Sequence, residues 1–351
     1  MSKIRLGVVR ADTHGYYFGI MLDKCIPSLL QKYNYVVHHY ASSIYTSELL
    51  TMPKVSGFEI VKIYDYDAMK AREFSETFCG RPVVCEKLEE MTSDIDAVFI
   101  GDCDGSGADH LKLVKPFLEK GITSFVDKPF ASTLKDAKEI VRLAEENNAL
   151  LFNSSILSVV PAAEQFKKRF DEISKTFYPV PASALQGIGL GVIKGVGGAF
   201  SQELSGNTAS GGIEDRLAYI IHGVSLALNL FGRGVSWVEA MGELPLEYLH
   251  IRLNSGIDVM IMNTSTDVFP ESCSFFASAY SKYGAVHSGP IGDPQFLGGG
   301  QRILELLKEM IETGKPPVKY ADFLEPIAVI EAGQLAHKES RRVYLKEVLD
   351  A

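Results

Sequence analysis

The chain has 351 residues, 46% of them hydrophobic, and a formal net charge of −9. That length exceeds one average core and suits two domains. The acidic balance, with no Lys/Arg run, excludes the basic surface that a nucleic-acid backbone or an anionic membrane requires, and no stretch approaches the about 18 apolar residues of a membrane span.

Five cysteines (Cys25, Cys79, Cys85, Cys103 and Cys273) are odd in number and spread without C-x-x-C spacing. They imply reduced thiols and a cytoplasmic protein rather than a disulfide framework or a zinc site. The opening MSKIRLGVVRADTHG passes from Met into an apolar run with no long h-region or small-residue cleavage site, so no export leader is expected.

Residues 4–10 (IRLGVVR) predict a strand, ADTHG a turn, and about Tyr17 to Lys32 an amphipathic helix. Residues 33–57 exceed a normal connection and carry His38, His39 and four tyrosines; a lid, a subunit contact and a plain surface excursion are all open. Strand–helix alternation returns at 58–65 (FEIVKIYD), 96–102 (DAVFIGD) and 122–127 (ITSFVD), with Ser132-Thr133 capping the next helix and Asn147-Asn148 ending it before the strand 149–153. Repeated βαβ units give a doubly wound parallel sheet. A first domain over 1–154 and a second over 155–351 are expected.

Beyond a linking helix at about 158–174 come Gly-rich loops, a helix near 214–231, and apolar runs such as VSWVEAMG, GIDVMIMNT and SCSFFASAY. Successive strands without intervening helices predict an α+β domain with an open, mostly antiparallel sheet. Two helices (QRILELLKEMIETG and ADFLEPIAVIEAGQLAHKES) and a short RRVYLKEV strand close the chain, and the second helix is free to pack back on the first domain. An open sheet rich in Val, Ile, Met and Phe predicts a homodimer or homotetramer built through that face.

In a doubly wound sheet, ligands sit at the carboxyl ends of the strands, near the first and fourth. The relevant loops are 10–15, 65–67, 101–110 and 127–130. A dinucleotide fold places G-x-G-x-x-G in the first loop, so that bare amides meet the pyrophosphate; here the stretch is Arg10-Ala11-Asp12-Thr13-His14-Gly15, and only the third glycine is present. Asp65 ends the second strand, where an acid bonds ribose hydroxyls and repels a 2′-phosphate, or simply makes a turn. Asp127-Lys128-Pro129 puts a lysine in a proline-stiffened loop at the sheet edge.

The block DAVFIGDCDGSGADHLKLVKPFLEKGITSFVDKPFASTLKDAKEIVRLAEENNALLF resembles one continuous stretch of the Gfo/Idh/MocA family, the glucose–fructose oxidoreductase and inositol dehydrogenase-like enzymes. The family's loop ending in histidine appears as His110, its A-x-x-x-G-K-like residues as Phe117 to Gly121, and its E-K-P as Asp127-Lys128-Pro129. The likeness continues through GGIEDRLAYIIHGVSLALNLFG to a closing helix with Ser340 before RRVYL. It implies a Rossmann domain that binds NAD, or less favourably NADP, through Ala11, Asp12, Thr13, Gly15, Asp65, Asp102, His110, Asp127 and Lys128. It also implies oxidation of a secondary alcohol on a sugar or cyclitol, with Lys128 at cofactor and substrate and His222 as acid/base.

The family's D-x-x-x-H pair is incomplete, because residue 218 is alanine. Tyr219 at i−3 and Asp215 at i−7 share a helical face with His222 and are candidate substitutes. Substrate choice is assigned to second-domain loops, including 187–212 with Gln202, Glu203 and Asn207. Two other readings stay open. Asp12, His14, Asp102 and Asp104, with Asp109 and His110 nearby, form a metal-ligating set for a sugar-modifying enzyme or merely cap helices and make turns; alternatively, the fold binds a sugar, or regulates, without catalysis.

Overall fold

The computed structural model describes residues 3–42, 50–102, 106–174, 190–196, 217–243, 246–264, 275–281, 284–289 and 291–351. They form two compact units, Met1–Ser154 with Gly300–Ala321, and Ser155–Gly299 with Asp322–Ala351.

In the first unit, β1 (Ile4–Val9), β2 (Phe58–Tyr64), β3 (Val83–Val84), β4 (Ala97–Ile100), β5 (Thr123–Val126) and β6 (Leu151–Phe152) make a six-stranded sheet in the order β3-β2-β1-β4-β5-β6. Every pairing is parallel. Between the strands come α1 (Thr13–Leu22), α2 (Pro27–Tyr33), α3 (Tyr35–Ser42), α4 (Ala68–Thr77), α5 (His110–Leu118) and α6 (Leu134–Glu146). Because helices cover a parallel sheet on both faces, its strands bury their residues without alternation, as in the fully buried β4. Register then levels the carboxyl ends: Val9 pairs with Tyr64 and Ile100, and Ile100 with Val126. Arg10, Asp65, Gly101 and Asp127 therefore start their loops side by side.

The stretch expected as one helix from Tyr17 to Lys32 is two, α1 and α2. Pro27 occupies the first turn of α2, and a residue before proline is pushed toward extended backbone. Asp23 holds the break open by accepting from Lys24 N at 2.7 Å and Ile60 N at 2.9 Å. Part of the 33–57 stretch belongs to the core rather than the surface, since α3 buries Val37, His38 and Ala41; residues 43–49 lie outside the description. Tyr320, from the later stretch that joins this unit, donates to Ala149 O at 3.1 Å and accepts from Leu151 N at 3.0 Å.

The second unit holds a seven-stranded sheet in the order β12-β11-β7-β10-β9-β8-β13: β7 (Leu190–Val196), β8 (Val235–Glu243), β9 (Leu246–Leu253), β10 (Asp258–Thr264), β11 (Phe276–Ser281), β12 (Gly284–His287) and β13 (Val343–Tyr344). Only β7 and β10 pair in parallel. With them go α7 (Pro161–Ser174), α8 (Leu217–Phe231), α10 (Ala321–Glu339) and α11 (Leu345–Leu349), while α9 (Asp293–Thr313) runs from this unit into the first. The strand expected at RRVYLKEV is only Val343–Tyr344, because Glu347 accepts from Tyr344 N at 2.8 Å and starts α11 instead. Helix α8 lies close on the sheet: a side chain at Gly223 would stand 3.0 Å from Ile261.

The first core is keyed by a run of aromatic rings: Phe18 and Phe99 tilted with centroids 5.0 Å apart, Phe99 and Phe125 stacked at 4.4 Å, and Phe125 and Phe152 edge-on at 5.6 Å. Removing the central ring leaves a cavity between α1 and two strands. Phe99→Ala is expected to cost about 3–5 kcal/mol, read as a lower urea midpoint with unchanged slope.

Candidate active site

The first loop keeps the backbone path of a dinucleotide fold while losing its glycines. Arg10 has φ +76°, a left-handed conformation that glycine adopts freely and other residues hold only when neighbours over-determine it. Its guanidinium supplies that hold, reaching Asp65 Oδ1 at 2.9 Å and Asp102 Oδ1 at 3.5 Å, with its charged carbon 4.9 Å over the Tyr66 ring. Gly15 is required: a Cβ there would lie 2.4 Å from Arg10 O, and one on Gly101 would lie 3.0 Å from Gly15. Strand β1, helix α1 and strand β4 thus cross as closely as that fold demands.

Four acids of these loops are buried, with Asp12, Asp65, Asp102 and Asp127 exposed by 5%, 5%, 4% and 2%. Asp12 is the N-cap of α1, accepting from His14 N at 3.0 Å and Gly15 N at 3.2 Å. Asp65 accepts from Ala11 N and Asp67 N, both at 2.8 Å, besides Arg10. Those bonds engage about three of the roughly four lone-pair positions of a carboxylate.

Asp127 accepts from Lys128 N at 2.7 Å and is bonded directly to His14 Nδ1. Burial pushes its carboxyl up, but His14 and Lys128 outweigh that and hold it below the ordinary 3.8. Lys128 precedes a cis proline and is itself buried. Asn153, just beyond β6, donates to Val126 O at 2.8 Å and Asp127 O at 3.0 Å, which braces the lysine loop.

His110 is fully buried, with Nδ1 3.3 Å from Phe130 O and Nε2 3.2 Å from Asp102 O, tying the β4 loop to the β5 loop. Among the described residues, Asp12, His14 and Asp102 of the metal set anticipated from sequence do not come together as ligands. Asp12 is spent on the helix, His14 on Asp127, and Asp104 lies outside the described residues. Among the described residues, ligand atoms within 4.8 Å of one another come instead from Asp102, Asp109 and His110. Both nitrogens of that histidine already face main-chain carbonyls.

In the second unit, His222 sits on α8 with Nδ1 2.7 Å from Ser155 Oγ and its ring edge-on to Phe275 at 5.8 Å. Asp215, Gln202, Glu203 and Asn207 lie outside the described residues, and Tyr219 is described only as part of α8. Sequence reasoning missed Arg10, Tyr66 and Ser155. The signal for Arg10 was its place at the first glycine of the fingerprint; nothing local marked Ser155.

These residues fit a nicotinamide dinucleotide in the tight β1–α1–β4 crossing, in the remaining acceptor capacity of Asp65 and in the buried Lys128. Ala11, Thr13 and His110 fit as backbone and framework. Asp12 is the exception, since its carboxylate occupies amides that would face the pyrophosphate. Serine caps a helix about as well as aspartate, so Asp12→Ser is expected to keep stability within about 1 kcal/mol and to tighten NADH binding about tenfold, ~1.4 kcal/mol, in calorimetric titration.

A carboxyl lowered on folding contributes stability that is complete above its unfolded value and is lost as pH falls through its folded one. For wild type, the urea midpoint should therefore fall below about pH 4. In Asp127→Asn it should be lower at neutral pH and flatter through that acid range.

Residues 39–155 match the family model described as "Oxidoreductase family, NAD-binding Rossmann fold". The scyllo-inositol 2-dehydrogenase (NADP(+)) IolU of Bacillus subtilis is 26% identical over 120 residues, 34% of this chain and 36% of that protein; the matched stretch is thus about a third of the relative's length. Among solved structures, the myo-inositol dehydrogenase of Lactobacillus casei in complex with NAD(H) and myo-inositol aligns with TM-score 0.70 at 14% identity, covering 97% of this chain and 96% of that one. A probable dehydrogenase from Thermotoga maritima aligns with TM-score 0.70 at 16% identity, covering 98% and 100%. These two structures share the fold over both units. The match over 39–155, a third of the chain, makes that stretch similar to the NAD-binding Rossmann fold of this oxidoreductase family, in keeping with the parallel sheet of the first unit.

Proposed function

We propose that the chain is an NAD(P)-dependent oxidoreductase acting on the CH–OH group of a sugar, cyclitol or sugar derivative, with Lys128 and His222 at the reacting carbinol. The observation that carries this reading is the setting of Lys128: buried at the carboxyl edge of a parallel sheet and held by a buried aspartate that also binds the start of α1. The inositol dehydrogenases among its relatives support a polyol substrate.

A nicotinamide supplies hydride acceptance when bound. The protein's share is proton and charge handling: the Lys128 ammonium stabilises the developing alkoxide, and His222, through Nε2, takes the hydroxyl proton. Asp65 at the end of β2 favours NAD over NADP, although Arg10 offsets part of its charge. The outer face of the second sheet, where Met241 and Tyr280 are exposed, supports assembly into a homodimer or homotetramer.

One observation favours a second reading, polyol binding without turnover: Asp12 sits on the amides of α1. A single assay separates the two. Purified protein is given myo-inositol, scyllo-inositol or aldoses with NAD+ or NADP+, and reduced nicotinamide is followed by absorbance. Turnover favouring NAD+ is expected, with Lys128→Ala and His222→Ala each lowering kcat/KM by about 10²–10⁴-fold at unchanged Tm. No turnover, together with a Tm that NADH leaves unmoved, would sink the oxidoreductase reading.

A further inference from the structure

We propose that His14 is a hydroxyl-binding group of the site: its imidazole, held by the buried Asp127, offers Nε2 as a hydrogen-bond acceptor at the carboxyl edge of the first sheet. The inference rests on the reading of that edge as the place where dinucleotide and polyol bind, and it names a further contact residue there.

The ring is held on three sides. Its Nδ1 is bonded to Asp127 Oδ2. One turn further along α1, Phe18 stands edge-on with centroids 5.7 Å apart, and Tyr17 is tilted at 6.3 Å, as residues three and four apart on a helix allow. The backbone is anchored as well, since Asp12 accepts from His14 N at 3.0 Å. A ring so placed has little rotational freedom, and the direction of its second nitrogen is fixed. Among the described residues Nε2 has no hydrogen-bond partner, and the side chain is 19% exposed.

The partner decides where the ring proton sits. Asp127 Oδ1 accepts from Lys128 N at 2.7 Å, and its carboxyl is held below the ordinary carboxylate range. At neutral pH it is therefore ionised and can only accept, which makes Nδ1 the donor. A neutral imidazole carries one N–H, so the lone pair is on Nε2, as when a carboxylate backs a histidine elsewhere. Asp127 is the positioning residue, and His14 is the group that meets the ligand.

Position and chemistry agree. Helix α1 follows β1 and Asp127 follows β5, so the bond between them passes across the end of β4, at the edge where a doubly wound sheet takes its ligands. Lys128, whose N–H is bonded to the same aspartate, brings an ammonium donor. A donor and an acceptor tied to one aspartate suit ligands whose hydroxyls both give and take hydrogen bonds. His110 faces main-chain carbonyls with both nitrogens, which leaves His14 as the histidine of this edge that can meet such a group. The polyol and the ribose of the dinucleotide share this chemistry, a hydroxyl that donates to Nε2.

The test uses the full chain and two variants with opposite defects. His14→Asn keeps an amide N–H where Nδ1 stands, and so a partner for Asp127, but has nothing at Nε2. His14→Gln reaches the Nε2 position with an acceptor and lets go of Asp127. Binding of myo-inositol and of NADH is measured by calorimetry at about pH 8, above the range where imidazoles ordinarily charge. His14→Asn is expected to weaken one of the two ligands about three- to tenfold, the worth of one neutral hydrogen bond, at unchanged Tm. His14→Gln should stay within about twofold of wild type in affinity at a lower Tm, whereas a merely structural histidine gives the reverse order. Loss on myo-inositol places the hydroxyl on the substrate, and loss on NADH places it on the ribose. Long-range 15N imidazole correlations, assigned by comparison with His14→Asn, should show the Nδ1–H tautomer. Asp127→Asn should reverse it, because Lys128 N holds the amide oxygen and turns the NH2 toward Nδ1. A wild-type Nε2–H tautomer, affinities unmoved by His14→Asn, or binding of neither ligand to wild type overturns the inference. Binding that responds to His14→Asn with no turnover of any polyol overturns only the oxidoreductase reading.

Discussion

Four carboxylates buried at one edge of the parallel sheet set the terms for everything around them. A carboxylate shielded from water must be paired or hydrogen-bonded, because the cost of stranding it is several kcal/mol. Asp12 takes the first amides of α1, Asp65 takes Arg10 and two amides, Asp102 lies by Arg10 and His110, and Asp127 takes His14 and Lys128 N. The contacts of Asp65 and Asp102 with Arg10, and of Asp127 with His14, join loops that register has already levelled. The edge is consequently a cross-linked rim in which the position of Lys128 depends on α1 through one aspartate.

That rim explains how the first loop keeps its path with a single glycine. The left-handed turn at Arg10 costs of order 1–3 kcal/mol for a residue with a side chain. A half-buried guanidinium between two carboxylates offsets that cost at the point where it arises. Arginine suits the task because its fork stays charged and bonds in two directions at once. Asp65 and Asp102 thus have a structural duty beyond any contact with a ligand.

Much of the fold was legible because strand and helix periods were clean. Five of the six strands of the first sheet announced themselves, the two-residue β3 being too short to read, as did the caps at Thr133 and Asn147. The failures have local causes: Pro27 broke a helix that composition alone would have continued, and Glu347 turned a strand into a helix start. Strands β7 and β9 were hidden, the first inside a stretch that reads as glycine-rich loop and the second in LEYLHIRL, whose outward residues are polar or aromatic. In the site, Lys128, Asp127 and His110 were legible from their order in one block. Ser155 was not, since its partner lies 67 residues away and a serine after a strand carries no signal.

The departures of the first loop from G-x-G-x-x-G are of two kinds. At Arg10, carboxylates from two other loops, Asp65 and Asp102, hold a backbone turn that glycine adopts unaided. At Asp12 nothing comparable occurs, because the carboxylate stabilises α1 by using the very amides that an incoming anion would need. An anion at this helix has to replace a covalently tethered competitor, whose effective concentration is set by one short side chain.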